Sequence, residues 1–359
     1  MSVQELPTRV NEDHLDGVLA RISERAGELD RKPRFPVENF TDLLAVGALT
    51  PPPDELVGEV RLVRAVAAAD ASTARILDGH LNGVERLTLA GPEPLRSIEL
   101  TRIREGKLLL GVWGADPAAG EGPPARLEHK ASQPLLCGVK TFCSGAGGVQ
   151  RALVLAPDHD GSRRLLYLDT SSHVSIDRSW YRASGLRASE SHRVEFHETP
   201  VLALLGGPGE LSREPYFSRD AIRTSATWAG LADRILAETV AALDPVQIDA
   251  VRAHALGQMR VAHGTIDRWL EHTTRELHRP EDSRPHTDRT ALALECRVAL
   301  YECARLISDH SARVCGSRAL IGSSALDRAR RDLDLFLLQH RLDPKVTKLG
   351  AEMLDTEQP

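Results

Sequence analysis

Apolar residues in the first third of the chain recur at the spacing of an α-helix. The stretch 14–29 follows the i, i+3, i+4, i+7 pattern of an amphipathic helix, with apolar positions at Leu15, Val18, Leu19 and Ile22. Pro36 precedes a second candidate helix, 37–49. The Ala- and Leu-rich stretch 60–89, weakened by Gly79 and Gly83, predicts either a buried helix pair or one broken helix.

Near residue 108 the pattern changes to short apolar runs separated by turn residues. These runs have the length of β-strands: 107–113, 135–143, 152–155, 165–168 and 193–197. Between the third and the fourth run, Asp158-His159-Asp160-Gly161 has the composition of a hairpin turn. This part of the chain is therefore predicted to form a β-domain.

Helical spacing returns at about residue 218. Ser218 or Asp220 is suited to cap a helix that runs to Leu243, and Pro245 is suited to open the next one, to about Leu277. A polar loop, 279–288, separates these from two more helices, 291–314 and 326–338. Four such helices suit an antiparallel bundle.

The predicted fold is α+β and mostly α. It has a helical N-terminal domain (1–107), a central β-domain (108–205) and a C-terminal four-helix bundle (206–359).

Composition and charge narrow the class of protein. Of 359 residues, 42% are hydrophobic and 27% charged, as in a globular protein with a sizeable core. The net charge of -6 argues against nucleic acid as a partner. No apolar run approaches the roughly 20 residues of a membrane span. The polar N-terminus is unlike a signal peptide, and five cysteines without a CxxC pair suggest reduced thiols, so a cytoplasmic location is expected.

Five segments give the chain a resemblance to a known family. They are RFPVENFTDLLAVGAL (34–49), GVWGADPAAG (111–120), GVKTFCSGAGGVQRALVLA (138–156), GLRASESHRVEFHETPV (185–201) and LDRARRDLDLFLLQHRLDP (326–344). In composition and order they resemble the acyl-CoA dehydrogenases and the related flavin-dependent monooxygenases of the same fold. The resemblance covers nearly the whole chain and implies the same three-part layout.

The resemblance also implies a flavin site at the end of the third segment's strand. A flavin ring needs an apolar wall and donors along its polar edge. By the motif match, Phe142 is the wall and Ser144 offers its hydroxyl and backbone N–H, while Trp113 is a candidate for the pocket lining. Without the resemblance, Phe142 reads as a core strand residue and Ser144 as a turn residue. The glycines that follow lack GxGxxG spacing and are predicted to form a strand-to-strand turn.

Two residues fall at positions where the family places a catalytic base. Counting from Arg331-Asp332 leads to His340, and counting back from Gly230-Leu231-Ala232 leads to Asp220. Asp220 is either an alternative base or a helix N-cap. His340 is either a catalytic group, which would transfer a proton near neutral pH, or an exposed residue near a helix end.

Three functions remain open at this stage. The leading hypothesis is α,β-dehydrogenation of an acyl thioester or a similar substrate with FAD. The second is a two-component monooxygenase that receives reduced flavin, FMN included, from a flavin reductase. The third is a flavin-less binding protein. The stretch 244–263 lacks the family's Arg-x-x-Phe-Gly segment for the FAD diphosphate, which favours the last two.

The sequence also bears on the oligomeric state and on metal binding. The apolar faces of 221–243 and 291–314 exceed the needs of one bundle, which predicts a homodimer or homotetramer. No histidine spacing indicates a metal site.

Overall fold

The computed structural model describes residues 10–50, 56–130, 133–244, 246, 248–279, 286–321, 324–339 and 341–355. The chain groups into two compact units. We call residues 1–55, 72–183 and 187–213 the sheet unit, and residues 56–71, 184–186 and 214–359 the bundle unit. Within the described ranges, no helix has the length and apolar character needed to cross a membrane.

The helices confirm most of the periodic pattern. In chain order they are α1 (Glu12–Arg31), α2 (Val37–Ala45), α3 (Leu56–Ala69), α4 (Ala71–Ala90), α5 (Leu95–Arg104), α6 (Tyr216–Ala241), α7 (Ala250–His278), α8 (His286–Cys315), α9 (Ala325–Leu338) and α10 (Asp343–Asp355). The stretch 60–89 is a broken helix, because α3 ends and α4 begins on either side of Asp70. The predicted loop 279–288 is shorter than expected, since α8 starts at His286.

A mixed seven-stranded sheet occupies the middle of the sequence. Its strands are β1 (Leu110–Trp113), β2 (Arg126–Lys130), β3 (Gln133–Cys143), β4 (Arg151–Pro157), β5 (Arg163–Asp169), β6 (Val174–Asp177) and β7 (His192–Leu205). They run in the order β1-β4-β5-β7-β3-β2, with β6 also on β7. Only the β1–β4 pair is parallel among these strands. The hairpin turn predicted at 158–161 joins β4 to β5.

Strand β7 connects the two halves of this sheet. Its first part, up to Pro200, pairs with β3, and part of the same stretch pairs with β6. Its last residues, Val201–Leu205, pair with β5. One long strand therefore sets the register of both halves, and it fixes the start of β7 beside the end of β3.

Helix α4 packs closely against β1 at a glycine. A Cβ added at Gly83 would lie 2.9 Å from the Cβ of Leu110. The apolar cluster around this contact consists of Val84, Leu87, Ile103, Leu108, Leu110, Leu153, Leu165, Tyr167, Ala203 and Leu205. In sequence Gly83 looked like a weak point of the helix. In the structure it permits the close approach that buries this cluster.

His80 ties α4 to two other segments of the sheet unit. Its Nδ1 accepts from the amide of Leu110 at 3.0 Å, and its Nε2 lies 2.8 Å from the carbonyl oxygen of Leu49. The ring is fully buried, and burial lowers the pKa of His80 to about 4. His80 therefore acts as a neutral imidazole with one donor and one acceptor, both in use.

We expect His80 to make the stability of the protein depend on pH. In the unfolded chain a histidine has a pKa near 6.5. As the pH falls from there to about 4, the unfolded state takes up a proton that the folded state does not, so stability is lost. The total loss is about 3 kcal/mol. Urea titrations between pH 4 and 7 should show this slope, and His80→Gln should remove it.

An exposed histidine serves as the control for that experiment. His272→Ala, on the surface of α7, should retain the slope of the unsubstituted protein. An identical slope in His80→Gln and in the unsubstituted protein would contradict the assignment.

The bundle unit contains the four predicted helices, α6 to α9, together with α3 and α10. Helix α3 packs against α6, and the close contact falls at Gly230, where an added Cβ would lie 2.2 Å from the carbonyl oxygen of Arg64. Helix α7 is capped by Asp249, which accepts from the amide of Arg252 at 2.8 Å. Pro245, expected to open this helix, lies outside the described residues.

Polar side chains connect three helices of the bundle unit. Arg64 of α3 donates to Asp233 of α6 at 2.7 Å and to Asp267 of α7 at 2.6 Å. His263 completes the group at 2.8 Å from Asp233. The hydrogen bond to Asp233 raises the pKa of His263, so the imidazolium adds a second positive charge between the two carboxylates as the pH falls.

Candidate functional site

Trp113, a candidate for the pocket lining, lies inside the sheet unit. Its side chain is 1% exposed and its indole N–H donates to the carbonyl oxygen of Ser144 at 3.0 Å. The same ring lies 6.4 Å from that of Phe196 on β7. Trp113 thus supports, from within, the turn that carries Phe142 and Ser144.

Phe142 stands on the surface at the end of β3. Its backbone has a positive φ of 51°, and its side chain is 46% exposed. The reading of Phe142 as a core strand residue is therefore wrong. The ring of Trp180 packs edge-to-face on it with centroids 5.0 Å apart, and the Trp180 indole donates to Glu121 at 2.9 Å. The exposed Phe142 ring is therefore supported on one side by the half-buried Trp180 ring.

Ser144 belongs to a chain of three buried hydroxyls. Its Oγ lies 2.8 Å from that of Ser191, which lies 2.8 Å from that of Ser189. Two contacts use two of the three hydroxyl hydrogens, so one hydrogen remains to be donated outside the chain. If the chain is oriented from Ser189 towards Ser144, that hydrogen belongs to Ser144.

The backbone around Ser144 limits what else the turn can offer. The Ser144 amide donates to the carbonyl of Phe142 at 2.9 Å, and the amide of Gly145 donates to that of Ser189 at 2.8 Å. The hydroxyl, rather than the amide, is therefore the group suited to a ligand. The glycines that follow join β3 to β4, so the predicted strand-to-strand turn is confirmed.

Asp220 does not cap a helix, which corrects both capping assignments. Helix α6 begins at Tyr216 after Pro215, so Ser218 and Asp220 lie inside it. The carboxylate of Glu214 serves the first turn instead, because it accepts from the amide and the hydroxyl of Ser218 at 3.2 and 3.0 Å.

The carboxylate of Asp220 instead pairs with a buried arginine. Arg223, with 0% of its side chain exposed, donates to Asp220 at 2.6 Å and to Glu59 of α3 at 2.7 Å. The three residues form a buried ionic group, and Asp220 lies at its more accessible side.

His340 lies outside the described residues. The Arg331-Asp332 pair, which gave the position of His340 in the family pattern, is described. Asp332 accepts from the amide of Leu186 at 2.6 Å, and Arg331 donates to the carbonyl oxygen of Ser184 at 2.5 Å. A Cβ at Gly185 would lie 2.3 Å from the carbonyl oxygen of Arg331. The family-like segments 185–201 and 326–344 thus meet in the bundle unit. This contact accounts for the glycine at position 185 and for the Arg331-Asp332 pair.

Several contributing residues escaped the sequence analysis. Ser189, Ser191 and Trp180 reach the Phe142–Ser144 turn from 38 to 47 positions away. Ser189 ends a short 3-10 turn and Ser191 directly precedes β7, so no strand periodicity marks them in the sequence. The pairing of Cys143 with His192, where β3 ends and β7 begins, brings this connection beside Ser144.

The fold is shared with many solved proteins. Solved structures superpose on 90–99% of the chain with TM-scores of 0.74 to 0.81. Their fold is the acyl-CoA dehydrogenase fold, and the chain has it too, with helices before and after a central mixed sheet.

Three similar proteins illustrate this likeness. KijD3, solved with FMN and a dTDP-linked amino keto sugar, is 22% identical and has a TM-score of 0.81, over 96% of this chain and 93% of its own. TdsC from Paenibacillus sp. A11-2, solved with FMN and indole, is 17% identical with a TM-score of 0.80, over 97% and 98%. Dibenzothiophene monooxygenase from Rhodococcus erythropolis is 26% identical over 163 residues.

That last match spans 42% of this chain and only 38% of the length of the Rhodococcus protein. No protein-family model matches the chain.

Proposed function

We propose that this chain is a flavin-dependent monooxygenase that receives reduced flavin from a separate flavin reductase. The observation that carries the proposal is the likeness, over nearly the whole chain, to structures that hold FMN in this fold. The partial match to a dibenzothiophene monooxygenase supports the same chemistry.

Dehydrogenation of an acyl thioester has less support. Similar solved proteins include a methanesulfinate monooxygenase and a dibenzothiophene monooxygenase, and none of the three comparison proteins described above is named for acyl-CoA. The stretch 244–263 also lacks the segment that would hold an FAD diphosphate. FMN therefore suits this chain better than FAD, and a small organic molecule suits it better as a substrate than a thioester.

The residues of the Phe142–Ser144 turn fit a flavin ring. When bound, a reduced flavin supplies the electrons that place one oxygen atom of O₂ on an organic substrate. The exposed face of Phe142 offers an apolar wall, and the edge-to-face contact with Trp180 fixes the orientation of the Phe142 ring. With the hydroxyl chain oriented from Ser189 towards Ser144, the Ser144 hydroxyl would donate its hydrogen to the polar edge of the ring.

Reduced-flavin binding tests the proposal as a whole. We expect the purified protein to bind reduced FMN under anaerobic conditions, and a flavin reductase with NADH to support substrate oxygenation. A protein that is yellow as isolated and is bleached by an acyl-CoA would favour the dehydrogenase. No binding of flavin in either redox state would favour a binding protein.

Substitutions in the turn test the site. Ser144→Ala should weaken reduced-FMN binding by the value of one hydrogen bond, about 0.5–1.5 kcal/mol. Phe142→Ala should weaken it by about 1–3 kcal/mol, the scale of stacking of a planar heterocycle on an aromatic side chain. Anaerobic fluorescence titration measures both. Thermal unfolding should change little for Phe142→Ala because its side chain is exposed.

Ser175→Ala is the matched control, since this serine lies on β6 of the same unit and contacts His197 instead. Equal flavin affinities in all three variants and the unsubstituted protein would remove Phe142 and Ser144 from the site. The predicted homodimer or homotetramer is a separate matter, to be checked by light scattering.

A further inference from the structure

We propose that His129, Asp158 and His159 form a binding site for a divalent transition-metal ion of the Zn²⁺ class. One potential ligand atom from each residue lies within 4.8 Å of the other two. His129 comes from β2, and the other two residues lie in the hairpin turn that follows β4. The site lies in the sheet unit and does not depend on the proposed flavin chemistry.

The distances between the donor atoms match a small ion. In tetrahedral Zn²⁺ coordination with bonds of 2.0–2.1 Å, neighbouring donors stand roughly 3.3 Å apart. The Asp158 carboxylate oxygen lies 3.5 Å from His129 Nε2 and 2.8 Å from His159 Nδ1. These two separations bracket the tetrahedral value, and the two histidine nitrogens lie within 4.8 Å of each other.

The ligand types select the class of ion. Two imidazoles and a carboxylate suit Zn²⁺, Cu²⁺ or Ni²⁺, whereas Mg²⁺ and Ca²⁺ prefer oxygen ligands. Both histidine side chains are exposed, so water can complete the coordination sphere. A site of three protein ligands plus water has the composition of an open zinc site.

The turn holds the central ligand in place before any ion binds. The Asp158 amide donates to the carbonyl oxygen of Ser162 at 2.8 Å, and the Gly161 amide donates to the carbonyl oxygen of Asp158 at 3.0 Å. The Asp158 carboxylate accepts from the His159 amide at 2.7 Å. The rings of His129 and His159 stand at 87° with centroids 6.2 Å apart. A bound ion would join β2 to the β4–β5 turn, two segments that do not share a hydrogen-bonded ladder.

Charge at the site favours a cation, because the Asp158 carboxylate lies between the two imidazoles. An imidazole binds a metal ion only when it is unprotonated, so we expect the affinity for the ion to fall in acidic solution.

Calorimetric titration of the full chain with ZnCl₂ tests the site. The protein must carry no polyhistidine tag and must first be stripped with a chelator. We expect one Zn²⁺ per chain. His159→Ala and Asp158→Asn should each weaken binding by at least about tenfold. Loss of a side chain that only hydrogen-bonds to a metal ligand already costs that much, so loss of a ligand should cost no less. Asp158→Asn keeps the acceptor for the His159 amide, so the turn should survive.

His254→Ala is the control, because this histidine is exposed on α7 of the other unit, and it should leave the affinity unchanged. MgCl₂ in place of ZnCl₂ should give no saturable heat. The proposal is overturned if the unsubstituted protein gives no saturable Zn²⁺ binding. It is equally overturned if His159→Ala and Asp158→Asn bind Zn²⁺ as tightly as the unsubstituted chain.

Discussion

Arg223→Met is expected to destabilise the protein by about 3–5 kcal/mol, the cost of removing one partner from a buried ion pair. Methionine keeps most of the apolar stem but takes away the charge that faces Glu59 and Asp220. Glu59 is 2% exposed, so its carboxylate would lose the guanidinium without gaining water. Urea unfolding followed by circular dichroism measures the loss.

Two further variants make this prediction specific. Arg61→Met, an exposed arginine on α3, should change stability by no more than about 0.5 kcal/mol. Adding Glu59→Gln to Arg223→Met should recover part of the loss, because the double variant no longer buries that carboxylate. Strictly additive effects of the two substitutions would contradict a direct Glu59–Arg223 interaction.

His340→Ala is expected to have the largest effect on activity, and the prediction rests on the proposed monooxygenase function. An imidazole can exchange a proton near neutral pH, and loss of such a group costs roughly 10²–10⁴ in rate. Product formation should fall by that factor while oxygen consumption continues and hydrogen peroxide accumulates. An oxygen electrode and a peroxide assay, run beside product analysis, separate the two quantities.

Asp220→Asn provides the contrasting variant. It should leave the ratio of product to oxygen unchanged and cost about 1–3 kcal/mol of stability, because a charged partner of Arg223 becomes neutral. If instead Asp220→Asn abolishes flavin reduction by an acyl-CoA while His340→Ala is mild, the dehydrogenase alternative holds. If neither substitution alters any flavin reaction, both base assignments are wrong.

The helical parts of the fold were predictable because a buried helix face imposes a 3.6-residue spacing on the sequence. Two strands, β2 and β6, and two helices, α5 and α10, were not predicted individually because they bury few side chains. In β2, with the sequence RLEHK, only Leu127 is buried, and α10 is mostly exposed. The short strand β6 has no buried residue. A segment that contributes few side chains to a core carries little periodic signal.

The site was predictable only in part, for a different reason. Resemblance led to Phe142 and Ser144, but their partners are set by long-range register, which a single sequence does not reveal. Asp220 was misplaced because an acidic residue near a helix start is typical both of a cap and of an internal ion pair. Its partner Arg223 also pairs with Glu59, which lies 161 positions before Asp220, and only the packing of α3 on α6 brings both carboxylates to the same guanidinium.

The division of the chain between the two units has a consequence for dissecting this protein. The backbone passes from one unit to the other five times, at 55/56, 71/72, 183/184, 186/187 and 213/214. A fragment that starts at Glu214 would carry α6 to α9 without α3. Such a fragment would leave Arg223 without Glu59 and Asp233 without Arg64. Neither unit is continuous in sequence. A chimera that takes the C-terminal helices from a relative would therefore keep the contacts of α3 with α6 only if residues 56–71 came from the same relative.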